Sequence, residues 1–273
     1  MTAAAPAGWL PVVLLALIQG LTEFLPISSS GHLVLAEKAL GVAEPGVALE
    51  VILHLGTLGA VLLYYRRDWL DLAGAVLRFP ARRSRPDDPR SLRLLGLLVL
   101  GTLPAACGGL LVGDRIEAAF QDPRFASAAL VGTGLLLLAT RLAGRGKRAV
   151  DARRALVIGF FQLLALFPGI SRSGSTISGG LFFGVRPEEA ARFSFLLSVP
   201  AILGAAVLKS GELSAGMRGG EAGRYLVGLV LAFASGDLAI GWLLRIVRRG
   251  RFAYFGVYCI ALGITGWLLL TLR

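Results

Sequence analysis

Residues 19–32 read QGLTEFLPISSSGH, and residues 162–175 read QLLALFPGISRSGS. Gln19 answers to Gln162, Phe24 to Phe167 and Pro26 to Pro168; Ile27-Ser28 answers to Ile170-Ser171 after one extra glycine. Each stretch is a polar centre rich in Pro, Ser and Gly, set in the middle of an apolar region, 9–43 for the first and 155–185 for the second. A proline removes a backbone donor and ends a helix. Two short apolar arms around such a centre read as a re-entrant helical hairpin. Irregular backbone at membrane depth is tolerated only when protein buries it or it lines a wet cavity.

Working outward, three long apolar runs follow each centre: 46–65, 92–112 and 125–143, then 190–208, 224–244 and 252–272. Each is long enough to cross a hydrocarbon core of about 30 Å. The expected fold is an all-α integral membrane protein with six full transmembrane helices plus two re-entrant hairpins, ten helical segments in all. Hairpin plus three spans occurs twice, as repeat 1 over about 9–143 and repeat 2 over about 155–272, within one membrane domain, 1–273. Three crossings per half is an odd number, so the halves are expected to be inverted. Lys and Arg agree: loops 66–93, 141–154, 186–192 and 245–251 hold 20 of the 28, and these loops are expected in the cytoplasm. Both termini then face outside, and the hairpins enter from opposite sides with their polar tips meeting within the protein.

Composition excludes other classes. Of 273 residues, 55% are hydrophobic and 16% charged, with a mean hydropathy of +0.72. A soluble domain carries about 25% charged residues. A net charge of +11 does not signal nucleic acid, because the basic residues sit between apolar runs rather than interleaved with aromatics. Cys107 and Cys259 each stand alone in apolar sequence and are expected to be buried and inert. No Lys or Arg precedes Lys38, and Glu23 breaks the first apolar run, so a cleaved signal peptide is not expected. The Pro/Arg-rich stretch 78–90 is expected to be a solvated loop.

Ionisable groups at membrane depth are costly and are functional candidates by default. Glu23 lies four residues after Gln19, on the same helical face. A carboxylate beside an amide oxygen suits a hard divalent cation, Mg²⁺ or Ca²⁺, with water or phosphate completing the shell. In the serine-rich turn, His32 is three residues after Ser29, so the imidazole could serve that hydroxyl as base, attack phosphorus itself, or protonate a leaving group. Arg172 sits among serines and glycines, an arrangement suited to bidentate phosphate binding. A carboxylate, a histidine, serines and an arginine point to metal-assisted cleavage of a phosphate ester or anhydride. At membrane depth the phosphate would be carried by a lipid. Glu50 and His54, one turn apart, are read first as packing or snorkelling residues. Asp237 is divided between a structural hydrogen bond and substrate handling.

QGLTEFLPISSSGH and PGISRSGST resemble the two signature motifs of the undecaprenyl-diphosphatase family of the bacitracin-resistance type. EVILHLGTLGAVLLYYRR (50–67) and ARFSFLLSVPAILGA (191–205) resemble it too. The resemblance implies hydrolysis of a C55 polyprenyl diphosphate to the monophosphate and inorganic phosphate, a divalent cation, and an outward-facing site in the bacterial plasma membrane. It places the catalytic serine on Ser29, the histidine on His32, the essential arginine on Arg172 and the metal-binding pair on Gln19 and Glu23. Ser28, Ser171, Ser173 and Thr176 fall where the diphosphate would be cradled. Gln19 stands where many members carry Glu, which weakens a two-carboxylate metal site. The expected partners are the polyprenyl diphosphate lipid and the bilayer, with no nucleic acid and with a homodimer allowed. The rival reading is a transporter or flippase for an anionic or lipid-phosphate substrate, which would use Arg172 and the helix ends without needing a Ser29–His32 pair beside Glu23.

Overall fold

The computed structural model describes residues 8–40, 47–79, 85–144, 146–211 and 221–272. Expectations for residues 80–84, Arg145, Arg218 and Arg273 lie outside the described residues. The chain starts with a helix pair, α1 (Trp9–Phe24) and α2 (Ser29–Leu40), and continues through α3 (Val47–Tyr64), α4 (Arg66–Arg78), α5 (Asp88–Phe120) and α6 (Pro123–Ala139). A second pair, α7 (Ala152–Leu164) and α8 (Arg172–Phe182), precedes α9 (Pro187–Leu208), α10 (Ala222–Arg248) and α11 (Tyr254–Thr271). Among the described residues there is no strand, and one isolated backbone bridge joins Arg148 to Val185.

Five helices, α5, α6 with its 3-10 extension, α9, α10 and α11, are long and apolar enough to cross a bilayer. Taken as one bent span, α3 and α4 make a sixth. The chain is a multi-pass, all-helical membrane protein. Helices α1, α2, α7 and α8 have 16, 12, 13 and 11 residues. At 1.5 Å per residue each falls short of the hydrocarbon thickness. The arms of each pair pack on one another, α1 on α2 and α7 on α8.

Helix α4 lies where the sequence predicts the cytoplasmic loop 66–93. The chain leaves helical geometry at Tyr65 (φ −101°, ψ 28°) and sets off again at 82° to α3. Leu72 and Ala75, three residues apart, are buried, while Arg66, Arg67 and Asp71 are exposed, which is the pattern of a one-faced helix. Asp68 accepts from Arg192 of α9, and Arg78 grips Asp88 at the start of α5 (2.5 and 3.0 Å).

The halves interlock. Arm α1 packs on α10 of the second half, arm α7 packs on α5 of the first, and α6 lies along α11. Lipid offers apolar side chains no hydrophobic reason to associate, so helices in a bilayer are held by close van der Waals approach, which small residues permit. A Cβ on Gly134 of α6 would stand 2.6 Å from the Gly256 carbonyl oxygen of α11, and one on Gly256 would stand 2.5 Å from that of Gly134. Beneath the first hairpin, Phe24 is fully buried and meets Phe195 of α9 edge to face, with centroids 5.5 Å apart.

Candidate active site

Both hairpin tips follow from their prolines and serines. The residue before a proline is pushed out of the helical region, and Leu25, before Pro26, is extended (φ −66°, ψ 145°), so α1 ends at Phe24. Ser171 starts α8 as an N-cap, its Oγ accepting the N–H of Gly174 at 3.0 Å. Ser28 does the same for α2, accepting from Gly31 at 3.2 Å. The extra glycine of the second copy has a structural consequence. Gly169 takes the left-handed turn (φ +87°) ahead of Ser171, whereas in the first copy Ser28 is left-handed itself (φ +67°). A side chain in that region costs about 1–2 kcal/mol.

The tips meet. Ser173 Oγ donates to the Leu25 carbonyl at 3.0 Å, and the Arg172 guanidinium donates to Glu23 Oε1. Each tip is also steadied by the opposite half. Thr133 of α6 donates to the Gly169 carbonyl (2.8 Å) and accepts from the Ser171 N–H (3.0 Å). Cys259 of α11 lies with its sulfur 3.7 Å from the Pro26 carbonyl.

Glu23, 6% exposed, is the hub. Its Oε2 accepts Ser29 Oγ at 2.5 Å and Gln19 Nε2 at 3.0 Å, and His54 Nε2 stands 3.8 Å away. Helices α1, α2, α3 and α8 thus each bring a side chain to one carboxylate. The structure brings Gln19, Glu23, Ser29 and Arg172 together. His54, read first as packing, belongs with them; its Nδ1 is 2.8 Å from the Glu50 carbonyl, which aims Nε2 at Glu23. The available signal was its place as an ionisable group in an apolar run, one turn after Glu50.

His32 is placed differently from the Ser29–His32 pair of the sequence reading. Its Nδ1 is 2.8 Å from the Ser28 carbonyl and its Nε2 is 2.8 Å from Tyr258 Oη, while Ser29 turns to Glu23. Tyr258, one of two tyrosines in an apolar span, gave no sequence signal. Ser28, Ser171, Ser173 and Thr176 are buried, and their hydroxyls are occupied by caps, by the Leu25 carbonyl and by Ser194 (2.6 Å from Thr176 Oγ1). What the tips offer an anion are the first-turn amides of Ser29, Ser30, Arg172 and Ser173, which have no acceptor within their helices. Asp237 is half-buried with no hydrogen bond or ion pair among the described residues. Cys259 is buried as expected, but Cys107 is exposed. Its apolar surroundings mark a lipid-facing position as readily as a core one.

A cation held by Gln19 and Glu23 does not fit this arrangement. Gln19 presents its amide N–H₂ to Glu23, which turns its oxygen away, and both carboxylate oxygens of Glu23 are occupied by donors. Among the described residues no three His, Cys, Asp or Glu side chains gather around one point.

Beside the first tip a cavity of about 900 Å³ opens between α1, α10 and α11, walled by Leu21, Leu25, Ile27, Trp242, Phe255 and Tyr258, with Arg249 and Arg251 also in its lining.

The family model described as "Bacitracin resistance protein BacA" matches residues 12–265. The undecaprenyl-diphosphatase of Salinibacter ruber is 46% identical over 271 residues, covering 96% of this chain and 99% of that protein. That of Desulfatibacillum aliphaticivorans is 43% identical over 268 residues (94% and 97%), and that of Rubrobacter xylanophilus 44% over 259 (93% and 95%).

Proposed function

The chain belongs to the bacitracin resistance protein BacA family, and from that premise we propose how it works. It is an enzyme that hydrolyses undecaprenyl diphosphate to the monophosphate and inorganic phosphate, returning the carrier lipid to cell-wall synthesis. The observation that carries the mechanism is the single carboxylate of Glu23, with the Ser29 hydroxyl on one oxygen and the Arg172 guanidinium on the other.

A hydroxyl donating to a carboxylate is an activated nucleophile. Ser29 Oγ attacks the terminal phosphorus, and its proton passes to Glu23. The bond from that phosphorus to the bridging oxygen breaks, and undecaprenyl phosphate departs with the electron pair. Arg172 spends one Nη2 hydrogen bond on Glu23 and keeps further N–H groups for the phosphoryl oxygens. The free amides of the two helix starts complete the anion site. Water then attacks the phosphoserine. His32 Nε2 accepts its proton and then releases it to solvent, inorganic phosphate leaves, and Glu23 returns the first proton to Ser29. A carrier that only bound and released its cargo would have no use for a hydroxyl aligned on a carboxylate. The Mg²⁺ or Ca²⁺ expected from the sequence would supply positive charge against the diphosphate if it arrived with the substrate, since Gln19 and Glu23 do not fit as its ligands. The isoprenoid chain lies in the cavity beside Leu25 and Ile27.

The six spans and two re-entrant hairpins form an inverted repeat, with both termini and the opening of the site on the extracytoplasmic face of the plasma membrane. The excess of Lys and Arg in the four expected cytoplasmic loops supports this, as does the reciprocal packing of α1 on α10 and α7 on α5.

Purified protein in detergent, given undecaprenyl diphosphate with Mg²⁺, should release phosphate. Ser29→Ala, Glu23→Gln and Arg172→Ala should each lower kcat by about 100-fold or more, the range of a lost nucleophile, base or charge clamp, while keeping the wild-type melting profile. His32→Ala should lower release too, with phosphate accumulating on Ser29. Unchanged release in the first three variants would sink this assignment.

A further inference from the structure

His32 lies in α2 and Tyr258 in α11, 226 residues apart, yet they form the closest polar contact between the first hairpin's histidine and the second half. The Ser28 carbonyl can only accept, so Nδ1 of His32 carries the proton. In the neutral ring Nε2 then holds a lone pair, and Tyr258 Oη donates to it at 2.8 Å. The two rings are nearly parallel, with planes 8° apart and centroids 5.7 Å apart, so the hydrogen bond joins them edge to edge. One hydrogen bond selects the tautomer, and the other fixes where the basic nitrogen points and with it the ring plane. Tyr258, 46% exposed, lines the cavity beside the tip, whereas His32 does not.

We propose that Tyr258 is a positioning residue of the phosphatase reaction. Its hydroxyl occupies, on His32 Nε2, the place that the attacking water takes during hydrolysis of the phosphoserine, and until then that hydrogen bond keeps the imidazole from turning away. An imidazole with one anchored nitrogen still rotates about its side-chain bonds. Anchoring both nitrogens and the plane removes that freedom before the water arrives, and misplacement by about 1 Å can cost 100-fold in rate. No proton is transferred to or from Tyr258 in this scheme; it exchanges one hydrogen-bond partner for another. The inference rests on the reading of His32 as the proton acceptor for water.

Tyr258→Phe keeps the ring beside His32 and removes the hydroxyl; Tyr258→Leu removes both. Phe should lower kcat roughly ten-fold with KM within about two-fold, and Leu should lower it further. The phosphoserine intermediate should accumulate in both, because the second step is the one slowed. The protein has two histidines, so ¹⁵N-histidine spectra of the detergent-solubilised enzyme, with His54→Gln for assignment, resolve His32 alone. The wild type should show the Nδ1–H tautomer with Nε2 accepting a hydrogen bond. In Tyr258→Phe the Nε2 resonance should move toward that of a free lone pair while Nδ1 stays put. An unmoved Nε2 resonance, or a wild-type kcat in Tyr258→Phe, overturns the proposal. Full activity in His32→Ala would instead overturn the reading beneath it, and the spectrum would still report whether the contact exists.

Discussion

Ser28 shows how one missing residue shapes a site. The second hairpin has Gly169 for its left-handed turn and leaves Ser171 relaxed at φ −70°, but the first has no glycine there and bends at Ser28. The strain sits next to the proposed nucleophile, where a rigid turn holds Ser29 toward Glu23. Replacing a serine cap with glycine costs a few tenths of a kcal/mol, less than the strain it relieves. Ser28→Gly should therefore keep or raise the melting temperature while lowering kcat. Ser28→Val loses the cap and keeps a branched side chain in the left-handed region, and should lose about 2 kcal/mol. Thermal melts of both variants beside phosphate release check this; a Gly variant that melts early would refute it. Gln19 makes a second point at this scale. Its spacing from Glu23 was plain in the sequence, but which end of the amide faces the carboxylate depends on the neighbours Ser29 and Arg172, brought in from other helices.

At the scale of helices, the fold depends on approach distances that only glycine permits. In α6, Gly134 faces the backbone of α11, while Gly132, two residues away, meets nothing within 4 Å. Gly134→Val forces a branched side chain against a carbonyl and should lower stability in detergent by about 1–3 kcal/mol or more. Gly132→Ala should be neutral or mildly stabilising, since an exposed helical glycine is worse than alanine by roughly 0.5–1 kcal/mol. Equal loss in both would show that the α6–α11 contact is not what holds these helices. The long spans were legible because twenty apolar residues have one reading in a bilayer. Helix α4 was not, because its charges resemble those of a solvated loop until Leu72 and Ala75 are seen to share a buried face.

Across the whole molecule, the reciprocal packing gives each tip two kinds of support, its own arms and a span from the other half, so neither half can form the site alone. The orientation proposed for the chain is tested with single cysteines in a Cys107→Ala, Cys259→Ala background. Lys38→Cys should react with a membrane-impermeant thiol reagent on intact cells, and Lys147→Cys only after the cells are opened; both positions are exposed. The reverse pattern would invert the topology, and equal labelling would remove the inverted repeat.

The sequence by itself determined that this chain lives in a bilayer, that it carries two related broken helices, and that an acid, a serine and an arginine stand in their polar centres. Apolar length, proline and polar residues at membrane depth leave few alternatives, and the spacing of Gln19 and Glu23 is local. Only the tertiary structure decided that Ser29 answers to Glu23 rather than to His32, that His54 joins the carboxylate, and that His32 answers to Tyr258. His54 is tens of residues from Glu23 and Tyr258 is 226 from His32, while Ser29, six residues from Glu23, lies across the turn at Pro26 that ends the first helix. No helical period relates such positions, and hydrogen-bond direction is set by whichever donors the packed helices deliver.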